Sequence, residues 1–284
     1  MENFVTNIDI NEAIWRNHYQ IVVADKEDCN CSEPLFFGSA FRMCYRGKDW
    51  LITADHVIHP EKHGLIEIPE GQDIDSIEHN YFLINNYNAK DQMATMMTSL
   101  AGFYFFDKFN EEMCDFTPEE LNELGATDSD FFTRIDVAFS DISRGVPGPL
   151  LTHDLTDHYG NVIVANGLMK LSLTEGSITT PSTAKEYFDY GVIKNEIVGF
   201  QFRRVNAPYG YLKYIEEKDN LYRFQSPIEI KYDEWAALSG SAMFDDEGKV
   251  VGMTIRVDPE SGSVWVLPMP IILKLIDYAI AHGR

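Results

Sequence analysis

The strongest constraint on this chain is its punctuation: short apolar or alternating runs, each closed by turn residues within roughly 8–12 positions. Tyr19–Ala24, Leu35–Tyr45 and Trp50–Ala54 open the series, the last two separated by Arg46-Gly47-Lys48-Asp49. Gly64–Ile68, Tyr81–Ile84, Gly102–Phe106 and Ile135–Ile142 continue it. After Pro147-Gly148-Pro149 come Val162–Ala165, Ile197–Arg203, Tyr211–Ile215 and Leu221–Tyr232, then Ala242–Phe244, Val250–Val257 and Val264–Leu267. Asp245-Asp246-Glu247-Gly248 reads as a hairpin turn with Gly248 at positive φ, and it lacks the ligand spacing of a calcium loop. Helical signals are few. Thr117-Pro118-Glu119-Glu120 is a capping box with proline at the first helical position, predicting a short helix to Leu124. Asn7 to Trp15 can form another, and Pro270 opens a C-terminal helix with a broad apolar face. Many short strands and one terminal helix predict an all-β barrel or sandwich protein in two halves, with the Pro147 region as midpoint.

The charge narrows the partners. Asp and Glu number 45 against 23 Lys and Arg, a net −22 over 284 residues. Such a chain repels phosphate backbones, so nucleic acid is not expected, while a cationic peptide or basic protein is a compatible partner. No run approaches the roughly 20 apolar residues of a membrane helix. Met1 to Trp15 carries Glu2, Asp9 and Glu12, with no basic stretch leading into an apolar one. Four cysteines do not make a disulfide framework, so reduced thiols and a cytoplasmic location are expected.

Three strings carry chemistry. Trp50-Leu51-Ile52-Thr53-Ala54-Asp55-His56-Val57 is an apolar strand ending on a histidine. Arg134-Ile135-Asp136-Val137-Ala138-Phe139 places an aspartate at the start of a strand. Ala237-Leu238-Ser239-Gly240-Ser241-Ala242-Met243-Phe244 is a small-residue turn feeding a strand. Each has a bland reading by itself, as a structural histidine, a turn acid or a loop. Together, in the order His, Asp, Ser, they are the parts of an acyl-transfer triad.

With these flanks the sequence resembles the trypsin/chymotrypsin-like serine peptidases, most closely their disulfide-free intracellular bacterial members. Thr53-Ala54-Asp55-His56 is similar to that family's Thr-Ala-x-His, Asp136-Val137-Ala138 to its Asp-hydrophobic-Ala, and Ser239-Gly240-Ser241 to its Ser-Gly-Gly or Ser-Gly-Ser. Gly38-Ser39-Ala40-Phe41 and Gly248-Lys249-Val250-Val251-Gly252 fall where the family keeps related segments. The resemblance covers roughly residues 20–281. It implies two six-stranded antiparallel β-barrels with a C-terminal helix: residues 1–18 as an extension, 19–148 as the first lobe and 149–284 as the second. It implies a serine endopeptidase in which Ser239 is the nucleophile, His56 the base and Asp136 its orienting acid. The backbone N–H groups of Ala237 and Ser239 form the oxyanion hole, and no cofactor takes part. Asp233, six positions before Ser239, implies selection of a basic residue before the scissile bond. Thr254, Ile255 and Arg256 supply the strand along which substrate pairs.

Two departures stand out. Ala237 replaces the family's usual glycine, and Leu238 replaces the aspartate that receives a freed N-terminus in secreted members. Both keep open a latent enzyme switched on by a protein partner, as in regulated proteolysis or phage defence, or a catalytically silent peptide-binding module of the same fold. Residues 104–132 form an acidic insertion with Lys108 as their one base, read as a solvated surface or as a docking or autoinhibitory element. His56, His59 and His63 invite a metal reading, as do His153 and His158, but no His-Glu-x-x-His string supports one and no metal is expected.

Overall fold

The computed structural model describes residues 17–68, 70–88, 93–99, 104–105, 135–143, 155–156, 162–164, 172–198, 201–231, 235 and 238–281. The chain is all-β with one long helix, in two lobes, an open sheet followed by a closed six-stranded barrel.

The first lobe is built on β1 (His18–Asp25), β2 (Pro34–Tyr45) and β3 (Lys48–Thr53), a meander whose middle strand pairs with both neighbours. Seven of the eight residues of β1 are buried, as a strand covered on both faces requires. The turn between β2 and β3 uses Arg46 and Gly47, both at positive φ, which is the twist-matched two-residue hairpin. β4 (His79–Asn88) pairs with β1, and β5 (Met93–Ser99) with β4. On the other side β7 (Ala138–Asp141) pairs with β3, and β6 (Tyr104–Phe105) with β7. Tyr104 and Phe105, at the head of the run read as an acidic insertion, belong to the sheet, and residues 106–132 of that run lie outside the described residues. This lobe departs from the closed six-stranded barrel. Its order is β5-β4-β1-β2-β3-β7-β6, with β10 (Leu173–Thr174) added parallel to β2, and its edge strand β5 lies near the segment Gln201–Lys218 of the other lobe.

A small pair, β8 (Leu155–Thr156) and β9 (Val162–Val164), precedes the second lobe. That lobe is a closed six-stranded barrel of β11 (Tyr187–Val198), β12 (Gln201–Lys218), β13 (Leu221–Gln225), β14 (Ala242–Asp245), β15 (Val250–Asp258) and β16 (Ser263–Pro268). Its core gathers Tyr187, Leu212, Phe224, Trp235, Leu238, Met243, Val251, Val264 and Val266. The run from Leu221 was expected to continue to Tyr232 but leaves the sheet after Gln225. Pro227 lacks a ladder donor, and the Ser226 hydroxyl accepts the Ile228 N–H while donating to the Ile228 carbonyl. Gly248 takes positive φ in the β14–β15 turn. There Asp245 is fully buried and holds the Glu247 and Lys249 N–H groups, while Lys185 reaches both Asp245 and Glu247.

The helices that bear on the site are α1 (Asp55–Ile58) and α2 (Met269–Ala281). Helix α2 buries Ile272, Leu275 and Ile276 in a cluster that also contains Phe41, Leu51, Phe139, Phe244 and Met253, so residues of both lobes share one core. Asp277 on its outer side accepts bonds from the Tyr45 hydroxyl and the Arg46 guanidinium of the first lobe. Among the described residues no helix is long and apolar enough to cross a membrane. Cys29, Cys31 and Cys44 are unbridged. The N-terminal extension up to residue 16, the capping-box helix after Thr117, the midpoint near Pro147, Cys114, and His153 with His158 lie outside the described residues.

Candidate active site

Strand pairing explains how two residues 80 positions apart meet. β3 and β7 run antiparallel, with Thr53 opposite Ala138. His56 lies three residues beyond Thr53 and Asp136 two residues before Ala138, so both emerge at the same end of the sheet. There the Asp136 carboxylate holds His56 at two points. Its Oδ1 accepts the His56 backbone N–H at 2.9 Å, and its Oδ2 lies 2.5 Å from Nδ1 of the imidazole. With the proton on Nδ1 the ring donates to the carboxylate, which leaves Nε2 as an acceptor. Both side chains are mostly buried, at 14% and 17% exposure, so the pair is shielded while a face stays open.

The serine turn docks on the same region from the second lobe. Ser39 of β2 donates its N–H to the Ser239 carbonyl at 2.9 Å, and the Thr53 hydroxyl donates to the Ser39 carbonyl at 2.7 Å. Gly240 has φ +89, and a Cβ there would stand 2.0 Å from the Ser39 carbonyl oxygen and 2.5 Å from Thr53 Oγ1. Glycine is the residue that lets the turn press this closely on the strand leading to His56. Ser241 closes the turn by donating its N–H to the Leu238 carbonyl at 2.9 Å. Gly38 has a parallel role beneath the histidine, since a Cβ there would meet both Val57 methyls at 2.4 Å.

The remaining expected residues are distributed differently. Asp233 and Ala237 lie outside the described residues. Thr254 is buried and its polar groups are engaged within the protein: its N–H goes to Ser241, its carbonyl accepts from Gly240, and its hydroxyl donates to Asp189. Thr254 is thus taken up inside the protein, next to Ile255 and Arg256 on β15. Ile255 is nearly buried, and the exposed Arg256 guanidinium sits 5.6 Å from the Trp265 ring centroid, a cation–π distance.

A second polar cluster surrounds the histidine. Asp55, buried at the start of α1, accepts from His59 Nδ1 at 2.8 Å and from His63 Nε2 at 3.0 Å. The His63 ring centroid lies 5.9 Å from that of His56, edge to face. Burial pushes the Asp55 carboxyl upward, but the bonds from His59 and His63 outweigh it and hold its pKa below the ordinary value. Burial likewise depresses His63, while the Asp55 bond and the charge of Asp136 raise it further, for a net increase. His79 and Glu61 form a deeper pair at 2.7 Å, with side chains 2% and 1% exposed. Among the described residues, no group of three or more His, Cys, Asp or Glu is arranged to hold a metal. The segment Gly64–Ile68, expected as a strand, is instead a turn, with the N–H groups of Gly64 and Leu65 bonded to Glu61 and Pro60.

Sequence reading missed Asp55, Glu61 and Asp189. The i,i+4 spacing of Asp55 and His59 was an available signal for the first. Nothing local marked the other two.

No family model and no curated protein matches this chain. Among solved structures it is similar to the serine endoprotease from Yersinia pestis, at 12% identity over 99% of this chain and 70% of that one, with a TM-score of 0.49. At that distance no residue is carried across, and the site rests on its own geometry.

Proposed function

We propose that the protein is a serine endopeptidase that cleaves peptide bonds through an acyl-enzyme on Ser239. The observation that carries this reading is the two-point hold of Asp136 on His56, at the place where the Ser239 turn is bonded to Ser39 and packed on Thr53. An aspartate that fixes both the backbone and the Nδ1 side of a histidine leaves Nε2 free for one task, to accept a proton.

In the proposed sequence Nε2 of His56 takes the Ser239 hydroxyl proton as Oγ attacks the substrate carbonyl. The imidazolium formed is stabilised by Asp136. The carbonyl oxygen, now negative, is received by the backbone N–H groups of Ser239 and Ala237, each worth about 3–4 kcal/mol in enzymes of this mechanism. His56 then gives its proton to the leaving amine, which breaks the C–N bond and leaves the acyl group on Ser239. Water, deprotonated by the same imidazole, releases the acid and restores the serine. The chemistry needs no cofactor. Ile255 and Arg256 offer the strand edge for an extended substrate, and Asp233 extends the proposal to a basic residue before the cleaved bond. Activation by a protein partner and a cytoplasmic setting belong to the same proposal.

The test is labelling of the native protein by a fluorophosphonate probe. Labelling that disappears in Ser239→Ala and in His56→Ala supports an activated serine. Labelling no greater than that of the denatured protein, with or without added partner proteins, refutes turnover and leaves a peptide-binding module.

A further inference from the structure

Asp189 lies on β11, outside every motif in the sequence, and its side chain is fully buried. One carboxylate oxygen accepts from the Ser241 hydroxyl and the other from the Thr254 hydroxyl. Ser241 stands two residues after Ser239, and Thr254 lies on β15, the strand against which the serine turn rests. The main chain already joins these two. Thr254 donates its N–H to the Ser241 carbonyl at 2.9 Å, and Gly240 donates to the Thr254 carbonyl at 2.8 Å.

Those two bonds tie the turn to β15, and the Ser39 N–H ties it to β2. The Asp189 carboxylate adds a side-chain anchor from β11. The Ser241 hydroxyl lies 2.5 Å from the Leu238 carbonyl as well, so one side chain touches both ends of the turn that carries Ser239. The residue types fit the task. A carboxylate offers two acceptor oxygens, and the groups facing it are two hydroxyls. A hydroxyl at position 241 rather than the hydrogen of a glycine is what lets the Asp189 carboxylate reach the turn.

Taking Ser239 as the nucleophile, we infer that Asp189 is a positioning residue, which locks the Ser239 turn to β15 through Ser241 and Thr254 and so holds the serine in line with His56. It touches no substrate and acts through the turn. A displacement of about 1 Å at a reacting atom can cost about 100-fold in rate, which is the scale of effect this clamp controls.

The test uses a concentration series of fluorophosphonate, which separates probe binding from the maximal labelling rate. It is paired with hydrogen exchange of the 238–244 peptide and with thermal melts. Asp189→Ala should lower the maximal rate about 100-fold with probe binding unchanged, and should speed exchange in that peptide. Asp189→Asn should stay within about 10-fold of the wild type. Its amide can donate to Ser241, whose proton passes to the Leu238 carbonyl, while its oxygen still accepts from Thr254. Should Asp189→Ala fail to fold, Thr254→Val removes one arm and should lower the rate about 10-fold with faster exchange in the same peptide. A folded Asp189→Ala or Thr254→Val labelled at the wild-type rate overturns the inference and leaves Ser239 as nucleophile. Rates that fall only in step with thermal stability, with local exchange unchanged, also overturn it. Wild-type labelling no greater than that of Ser239→Ala overturns the inference and the proposed function together.

Discussion

At the scale of single residues, Gly240 shows how closely the two lobes are fitted. Its φ of +89 is strained for any side chain, and its missing Cβ is the space occupied by the Ser39 carbonyl. Gly240→Ala is expected to lift the Ser239 turn off β2 and to lower stability by more than about 2 kcal/mol, measured by urea unfolding, with probe labelling lost. The string Ser239-Gly240-Ser241 was legible because a turn of small residues before an apolar strand is a local pattern. His56 and Asp136 are less plain, since a histidine at a strand end and an aspartate opening a strand are each ordinary structural residues, and only their order with the serine turn and the family resemblance set them together in the sequence. Asp189 was not legible. Its hydroxyl partners lie 52 and 65 positions away in sequence, and no spacing on its own strand announces them. A buried acid whose partners come from other strands becomes visible only when the barrel closes.

At the scale of elements, α1 and the loop after it form a titrating unit beside the candidate base. Asp55 has a lowered pKa, so its contribution to stability is complete above the ordinary carboxylate range and is lost as pH falls through the lowered value. His63 has a raised pKa, so its contribution is complete below about 6.5, the ordinary imidazole value, and is lost as pH rises through the raised one. The ion pair is therefore fully formed in the window between them. His63→Gln should be most destabilising near about pH 5.5, and the difference from wild type should shrink by about pH 9; urea unfolding at the two pH values checks it. A difference that stays constant or grows toward pH 9 would contradict this sign. The same unit explains a misread element. Gly64–Ile68 has a strand-like apolar pattern, but His63 is drawn to Asp55, and the Glu61 and Pro60 carbonyls accept the N–H groups of Gly64 and Leu65. Side-chain pairs and turn bonds therefore decide the backbone there. Elsewhere the alternation read through a strand end. The run expected over Ile197–Arg203 is divided between β11, which ends at Val198, and β12, which starts at Gln201.

At the scale of the whole molecule, the candidate site is a product of the two lobes meeting. His56 and Asp136 come from the first, Ser239 from the second, and the shared core under α2 holds the lobes in one relation. The all-β class and the closing helix were legible, because strand alternation and the Pro270 start are properties of short segments. The half-barrel form of the first lobe was not, because the partner of an edge strand is set by the packing of the other lobe. Leu275 is fully buried in that shared core, so Leu275→Ala should cost about 2–5 kcal/mol in urea unfolding and loosen the site with it. The most direct measurement is to map the covalent adduct by peptide mass spectrometry after native protein meets the fluorophosphonate. An adduct on Ser239 alone, absent in His56→Ala and formed about 10⁴-fold more slowly in Asp136→Asn, is the expected result. An adduct spread over other serines, or one on Ser239 that is indifferent to His56, would contradict a triad assembled across the two lobes.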